Sequence, residues 1–391
     1  MTPPARVAAA IEILDRVLAG EVAEKIVTNW GRANRFAGSG DRAAIRDLVF
    51  EALRRKRSFA YVGGAETGRG LMIGWVQVSG LDHNLYFSGE KYAPEVLSKS
   101  EAEFASLAEA PRAVRLDCQD WFLDFFDRSL GELADEVLQK LQSRAPVFLR
   151  VNQKKSNLSQ AAKALAADEI STQPHNLAGT ALEVTGNPRR VAQSSAFRDG
   201  LVELQDVASQ AVVEFLPLED GQNVLDYCAG GGGKSLAMAA RKDIKVTAYD
   251  VEVKRMNDLP TRIKRAGADI DIATEDQLNG KLFDIVVCDV PCSGNGAWRR
   301  APDAKWILTP ERLAELCQTQ ADILDTACNY VNRDGVLAYV TCSMIAQENG
   351  EQIDAFLARS GDWHQINHRQ FTPIDGGDGF FVALLKRVSI K

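Results

Sequence analysis

The chain has 391 residues, a net charge of −7 at neutral pH, 46% hydrophobic residues and 25% charged residues. This length exceeds what one hydrophobic core organises and the composition is that of a soluble globular protein, so we expect two or three domains. No apolar run is long enough to cross a membrane, residues 1–10 lack a signal-peptide pattern and the seven cysteines lack a Cys-x-x-Cys pair. We therefore expect a cytoplasmic protein without a metal site, a disulfide framework or membrane association.

The first third of the chain is predicted to be mainly helical. Apolar residues recur at helical spacing between residues 6 and about 60, and this pattern ends in the basic run Arg54–Arg57. Such a run is either a solvated helix end or a phosphate-binding patch, and the pattern leaves both open. The glycines of residues 62–94 predict loops between short helices, and residues 121–141 predict one more helix.

A domain boundary is predicted near residue 143. Residues 145–152 have the pattern of a strand after a break, and residues 153–203 alternate a helix at 158–166 with short strands. This pattern predicts a small α/β module ahead of the rest of the chain.

The segment 223–235 combines a short apolar strand, four consecutive glycines and the start of a helix. This order is typical of a cofactor-binding βαβ unit, in which glycines let the backbone approach a ligand and the helix N-terminus offers unpaired N–H groups. A P-loop does not fit, because Cys228 stands where its first glycine is needed, and Gly-x-Gly-x-x-Gly fits poorly, because Ser235 replaces the third glycine. Alone, the loop predicts a cofactor site and leaves a structural glycine turn open.

Further apolar runs alternate with helices after this loop and end in polar residues. They lie at 244–249, 270–273, 283–287 and 336–340. Asp250 follows the first run at roughly the spacing at which a carboxylate meets a pair of ribose hydroxyls. Because ligands of open α/β sheets bind at the carboxyl ends of the strands, these runs predict one shared site.

Two cysteines come directly after predicted strands. Cys292 lies in Asp289-Val290-Pro291-Cys292-Ser293-Gly294, and Cys342 lies in Thr341-Cys342-Ser343. Loops at strand ends hold reactive groups more often than packing groups. The pattern favours reactive thiols over the alternative of two small buried apolar side chains.

These motifs give the chain a resemblance to a known family. Over nearly its whole length it resembles the Nop/Sun family of S-adenosylmethionine-dependent RNA (cytosine-5) methyltransferases. Residues 1–60 resemble the NusB-like RNA-binding domain found in the branch of that family that methylates bacterial small-subunit rRNA. The matching segments are Leu149–Asn152, Gln205–Gln210, Leu225–Ser235, Asp289–Gly294, Arg299–Arg300, Pro302–Trp306, Thr341–Ser343, Glu348–Asn349 and Gly377–Phe381.

The resemblance implies an α/β fold with three consecutive domains. Residues 1–142 would form an all-helical, NusB-like, RNA-binding domain. Residues 143–204 would form a small α/β, RRM-like module, and residues 205–391 would form a Rossmann-like methyltransferase domain that binds S-adenosylmethionine.

The resemblance also implies roles for three residues in catalysis. It makes Cys342 the nucleophile, whose thiolate adds to carbon-6 of cytosine and turns carbon-5 into a nucleophile. Cys292 would assist release of the methylated base. Asp289 would bind the cytosine edge and stabilise the charge that develops on the ring.

For the cofactor, the resemblance gives Asp250 the ribose hydroxyls and Asp276 the adenine amino group. The family's Ala-Pro-Gly-Gly-Lys is replaced here by Gly230–Lys234, and the loss of its proline predicts a more flexible loop with altered cofactor affinity. The full set of implied cofactor-binding residues is Cys228, Ala229, Gly230, Gly231, Gly232, Gly233, Lys234, Asp250, Asp276 and Asp289.

The implied partner is RNA, with the target cytidine single-stranded or flipped out of a duplex, because a stacked base cannot reach a thiolate. The leading interpretation is methylation of a cytidine in 16S rRNA by a monomer. A tRNA methyltransferase and a non-catalytic RNA-binding assembly factor are the alternatives. The negative net charge argues against a uniformly basic surface, so local contacts to phosphates are predicted from Arg54, Arg55, Arg57, Arg150, Arg299, Arg300 and Lys305.

Overall fold

The computed structural model describes residues 1–388, which divide into two compact units. The first unit comprises Met1–Arg144 together with Trp298–Ile307, and the second comprises Ala145–Ala297 and the chain from Leu308 onward. The chain thus leaves the second unit after Ala297, contributes a short segment to the first unit and returns. The three consecutive domains expected from the sequence did not include this return. None of the helices within residues 1–388 is long and apolar enough to span a membrane.

The first unit is built from helices. Thr2 caps the first of them by accepting a hydrogen bond from the N–H of Ala5, as expected for a hydroxyl at an N-terminus. The helices are α1 Pro3–Leu18, α2 Ala23–Ala33, α3 Ser39–Arg54, α4 Lys56–Gly63, α5 Gly68–Val78, α6 His83–Tyr86, α7 Arg112–Arg115, α8 Asp120–Leu130 and α9 Ala134–Leu141, together with Pro302–Ile307 from the returning segment.

The prediction of loops across residues 62–94 was wrong for α5. Its glycines lie where α4 and α5 approach closely: a Cβ at Gly63 would lie 1.9 Å from the carbonyl oxygen of Gly70, and one at Gly74 would lie 2.0 Å from that of Phe59. These glycines therefore permit helix packing rather than marking turns. The single helix predicted at 121–141 is two helices, α8 and α9, which are separated at Gly131, where φ is 56°.

The second unit begins with a four-stranded antiparallel sheet in the order β2-β3-β1-β4. Its apolar core includes Leu149, Leu165 and Leu182. The predicted helix at 158–166 is confirmed as Leu158–Ala167. The elements are β1 Val147–Val151, α10 Leu158–Ala167, β2 Thr172–Pro174, β3 Ala181–Val184, α11 Ser195–Arg198 and β4 Val202–Leu204.

A seven-stranded sheet forms the rest of the second unit. The predicted apolar runs are confirmed as strands. The strands in the middle of the sheet are buried because helices cover both faces, whereas two of the three residues of β7, at the sheet edge, are exposed. The elements are α12 Val207–Phe215, β5 Asn223–Asp226, α13 Gly233–Arg241, β6 Lys245–Ala248, α14 Leu259–Ala266, β7 Ile270–Ile272, α15 Glu275–Leu278, β8 Phe283–Asp289, Pro302–Ile307 (α16, in the first unit), α17 Pro310–Ala327, β9 Val331–Thr341, α18 Gly350–Arg359, β10 Trp363–Phe371 and β11 Phe380–Arg387.

The strand order is β10-β11-β9-β8-β5-β6-β7, with β6 to β9 running parallel to β5 and β11 antiparallel to β9. The order reverses at β5, and ligands of such sheets bind where the order reverses. The carboxyl ends of β5, β6, β8 and β9 meet along one edge, which carries the glycine loop and both cysteine loops. The edge strand β10 was not predicted, because most of its residues are polar and exposed.

Candidate active site

The glycine loop joins β5 to α13 and has a backbone that requires glycine. Gly230 and Gly232 have φ of 53° and 75°, in the left-handed region that other residues rarely adopt. A Cβ at Gly232 would lie 2.2 Å from Cδ1 of Leu259. Arg262 donates a hydrogen bond to the carbonyl of Gly231, the position at which the family has proline. A tertiary contact thus restrains the loop where that proline is missing.

Two buried charged residues anchor the same loop. Asp250, at the end of β6, accepts a hydrogen bond of 2.8 Å from the N–H of Gly230 and lies 3.2 Å from the guanidinium of Arg255. Arg150 donates a hydrogen bond of 2.9 Å to the carbonyl of Gly233, and burial lowers its pKa to about 10. Arg150 therefore supports the cofactor loop, and its buried side chain does not fit the predicted contact with RNA phosphates.

Three other predicted cofactor residues differ in exposure. The N–H of Ala229 donates to the carbonyl of Tyr249 at 2.9 Å, which ties the glycine loop to β6. Cys228 is half-buried, and burial together with nearby carboxylates raises the pKa of its thiol. Asp276 is exposed in the first turn of α15, so its carboxylate is accessible to a ligand.

Charged side chains from three elements converge beside the loop. Nζ of Lys234 in α13 lies 2.6 Å from Oδ2 of Asp289 at the end of β8. Asp226, at the end of β5, is fully buried, and its Oδ2 accepts a hydrogen bond of 2.5 Å from Ser235. Its Oδ1 has no hydrogen-bond partner in the part of the chain that the structure describes. Burial, with a further contribution from the charge of Asp289, raises the pKa of Asp226 to about 6.

The two predicted reactive cysteines lie side by side. Sγ of Cys292 is 3.3 Å from Sγ of Cys342, and both thiols are free. This proximity follows from the sheet, because β8 and β9 pair in parallel with Asp289 opposite Val340. The separation exceeds the length of a disulfide bond, about 2.05 Å, and suits a hydrogen bond between two thiols.

Either thiol can donate the hydrogen bond between these sulfurs. The hydrogen bond to Cys342 and burial raise the pKa of the Cys292 thiol well above its usual value, which favours the protonated form of Cys292. A thiol in this position stabilises negative charge on its partner, which is the form of cysteine that acts as a nucleophile.

The basic residues predicted to bind RNA fall into two groups. Within the first unit, Arg54 donates to the carbonyl of Arg299 at 2.7 Å, and Lys305 donates to the carbonyl of Arg54 at 3.1 Å. All three residues are buried, and burial lowers the pKa of Lys305 to about 8. The charged ends of Arg54 and Lys305 hold the returning segment to α3, and a direct contact with phosphates does not fit these three buried positions.

The other three basic candidates keep contact with solvent. Arg300 is exposed, and Arg55 and Arg57 are half-buried. Arg57 forms a bidentate pair with Asp120 at 3.0 and 2.9 Å. The role of these residues in RNA binding stays a prediction.

Comparison with known proteins assigns the family. The family described as "16S rRNA methyltransferase RsmB/F" matches residues 213–386, and "Methyltr_RsmF/B-like, ferredoxin-like domain" matches residues 118–191. Ribosomal RNA small subunit methyltransferase B of Citrobacter koseri is 32% identical over 300 residues, which cover 72% of this chain and 69% of that protein. The chain belongs to the RsmB/F family. The methyltransferase B relatives from Photorhabdus laumondii and Klebsiella pneumoniae are 30% and 31% identical, and the chain spans 66% and 65% of their lengths.

Solved structures confirm the Rossmann-like methyltransferase fold. The crystal structure of PH0851 is similar over 99% of both chains, with a TM-score of 0.78 and 20% identity. A methyltransferase homolog protein from Pyrococcus horikoshii is similar over 73% of this chain and 100% of that chain, with a TM-score of 0.63 and 22% identity. The NusB-like character expected for residues 1–60 stays a prediction.

Membership of this methyltransferase family identifies S-adenosylmethionine as the cofactor, and the site suits its chemistry. The cofactor carries two positive charges, a carboxylate and ribose hydroxyls. The carboxylates of Asp226, Asp250 and Asp289 lie at this edge of the sheet and have the charge that suits the positive groups and the hydroxyls. Within residues 1–388, Oδ1 of Asp226 is a buried polar atom without a hydrogen-bond partner. The N-terminus of α13 offers N–H groups for a carboxylate.

Sequence reasoning missed two features of this site. Asp226 and Ser235 belong to the glycine motif, but neither residue had a role assigned from the sequence. Glu348 belongs to a segment that matches the family and also had no role from the sequence. The structure shows that this residue is fully buried. For Asp226 the available signal was a charged residue at the end of an apolar run, because a charge that is buried needs specific partners. Glu348 lies between Gln347 and Asn349, so its sequence carried no such signal.

Proposed function

We propose that this protein methylates carbon-5 of a cytidine in RNA, with 16S rRNA as its substrate. The observation that carries the proposal is the 3.3 Å separation of the sulfurs of Cys292 and Cys342 at the ligand-binding edge of a methyltransferase sheet. Two thiols in contact suit a reaction in which a base is first bound covalently and then released. The names of the relatives, which are rRNA methyltransferases, support rRNA as the substrate.

In this proposal S-adenosylmethionine supplies an electrophilic methyl group. The glycine loop and Asp250 bind the cofactor, and Lys234 with Asp289 binds at the junction between cofactor and base. Asp289 remains one-third exposed in its side chain, so it can accept a hydrogen bond from the amino group of the cytosine.

Cys342 is the proposed nucleophile. Its sulfur adds to carbon-6 of the cytosine and makes carbon-5 electron-rich. Cys292 stabilises the thiolate before attack by donating its S–H. Once carbon-5 carries the methyl group, its proton passes to solvent water, and the electron pair of that C–H bond restores the double bond between carbon-5 and carbon-6. The bond between carbon-6 and the Cys342 sulfur breaks with its electron pair on sulfur, and Cys292 donates a hydrogen bond to the departing thiolate.

The test is transfer of a radiolabelled methyl group to 16S rRNA and to tRNA. Cys342→Ala is expected to reduce transfer by more than about a thousandfold, because it removes the attacking atom. Cys292→Ala is expected to accumulate a covalent protein–RNA adduct that survives a denaturing gel. Normal turnover by Cys342→Ala would contradict the proposed nucleophile, and labelling of tRNA alone would contradict the proposed substrate.

A further inference from the structure

A buried carboxylate lies between the two cysteine loops. Glu348 belongs to the turn Ala346–Glu348, which leads into α18, and is fully buried. Its Oε2 accepts hydrogen bonds from the hydroxyls of Ser293 at 2.5 Å and Ser343 at 2.6 Å. Ser293 directly follows Cys292 and Ser343 directly follows Cys342. One carboxylate oxygen therefore binds the residue next to each reactive thiol.

Further donors complete this network. Oε1 of Glu348 accepts from the N–H of Ser293 at 2.7 Å and from Gln320 of α17 at 3.1 Å. The side-chain amide of Asn295 lies 2.8 Å from the hydroxyl of Ser293 and 2.7 Å from that of Ser343. The two loops are thus joined to each other and to α17 through polar contacts at a single buried site.

The chemistry of this arrangement indicates a role beyond stability. A buried carboxylate is costly, and among residues 1–388 its charge is balanced by hydrogen-bond donors without an ion pair. Apolar side chains of the same volume commonly give a stability equal to or greater than that of such a buried charge. A carboxylate that accepts hydrogen bonds from donors on two loops fixes the distance between those loops, which apolar packing does not.

We propose that Glu348 is the positioning residue that holds Cys292 and Cys342 in contact. The consequence for catalysis rests on the proposed function. The contact between the two thiols can be measured without RNA or cofactor. The hydrogen bond to Cys342 and burial are the main causes of the raised pKa of Cys292, and the charge of Glu348 adds a smaller contribution.

The test compares Glu348→Gln with Glu351→Gln, an exposed position in the first turn of α18 that loses the same charge. In the absence of substrate, diamide oxidises two neighbouring thiols to a disulfide, and peptide mapping gives the rate at which Cys292 and Cys342 become linked. We expect Glu348→Gln to slow this linkage by about ten- to hundredfold, as for the loss of a hydrogen bond to a charged group. Glu351→Gln is expected to match the unaltered protein.

The second readout is kinetic. If Glu348 positions the thiols, Glu348→Gln lowers kcat for methyl transfer by a similar factor and leaves KM for S-adenosylmethionine within about twofold. A Glu348→Gln protein that links its thiols and turns over like Glu351→Gln would overturn the proposal.

If Glu348→Gln does not fold, Ser343→Ala replaces it in the test. This variant keeps the buried charge of Glu348 and most of the hydrogen-bond donors around it. It removes the contact from the Cys342 loop, and we expect linkage to slow by about three- to tenfold with little change in Tm. Unchanged linkage in Ser343→Ala would also overturn the proposal. If linkage slows in these variants while the unaltered protein does not methylate RNA, the positioning role stands and the proposed function fails.

Discussion

At the scale of single residues, Asp226 shows how a buried carboxylate makes stability depend on pH. Its carboxylate is fully buried at the end of β5, and among residues 1–388 one of its oxygens has no hydrogen-bond partner. Because burial raises its folded pKa from 3.8 to about 6, folding takes up a proton between about pH 4 and 6. The free energy of unfolding therefore falls as the pH rises through this window.

Asp226→Asn is expected to stabilise the protein at neutral pH. Asparagine cannot ionise and still accepts a hydrogen bond from Ser235, so the free energy of unfolding at pH 7 should rise by up to about 3 kcal/mol. The gain should vanish below about pH 4, where the aspartate is protonated in both states. Urea unfolding at the two pH values measures the difference, and an equal gain at both would contradict the assignment. Asp269→Asn, at an exposed position, is the control.

At the scale of elements, glycines act as spacers between packed helices. The close approach of α4 and α5 depends on Gly74, where a Cβ would lie 2.0 Å from the carbonyl oxygen of Phe59. Gly40, in the first turn of α3, has open space at the same position. The two helical glycines thus differ in packing and belong to the same unit.

Gly74→Ala is expected to lower the free energy of unfolding by about 1–3 kcal/mol or more, because the helices must separate to admit a methyl group. Gly40→Ala is expected to raise it by up to about 1 kcal/mol, since alanine restricts the unfolded chain and favours helix. Chemical unfolding of both variants measures the contrast. A similar effect at the two positions would show that helix propensity, and not packing, decides the outcome.

The difference between local propensity and packing also decides how much of this fold the sequence predicts. The buried strands of the large sheet could be predicted because they are short apolar runs with polar ends, and their parallel order then brings Cys292 and Cys342 to one edge. The helix α5 could not be predicted, because local propensity treats its glycines as turns. The strand β10 is polar because it lies at the sheet edge, and the partners of Glu348 come from loops distant in sequence.

At the scale of the whole molecule, the returning segment Trp298–Ile307 belongs to the first unit, although residues of the second unit precede and follow it in the sequence. Trp298 packs against Phe122 and Phe126 of α8, with ring centroids 5.2 and 6.0 Å apart. Trp306 donates a hydrogen bond of 2.6 Å to the carbonyl of Leu53. Residues 1–144 therefore need the returning segment to complete both the apolar and the polar contacts of the first unit.

Removal of residues 1–144 is expected to give an aggregating fragment, because it exposes the two tryptophans of this segment to water. Replacing Trp298–Ile307 in that fragment by a glycine–serine linker should restore solubility. Sedimentation of both fragments measures the effect. A soluble, folded fragment with the segment intact would contradict this view of the segment as part of the helical core.

The returning segment also sets an order of events during synthesis. The helical unit cannot be completed when its first 144 residues leave the ribosome, because its last contacts are encoded by residues 298–307. At typical translation rates this delay lasts roughly 8–30 s. During that interval the apolar surface that Trp298 covers is exposed. A chaperone that binds apolar surface on nascent chains would bind there.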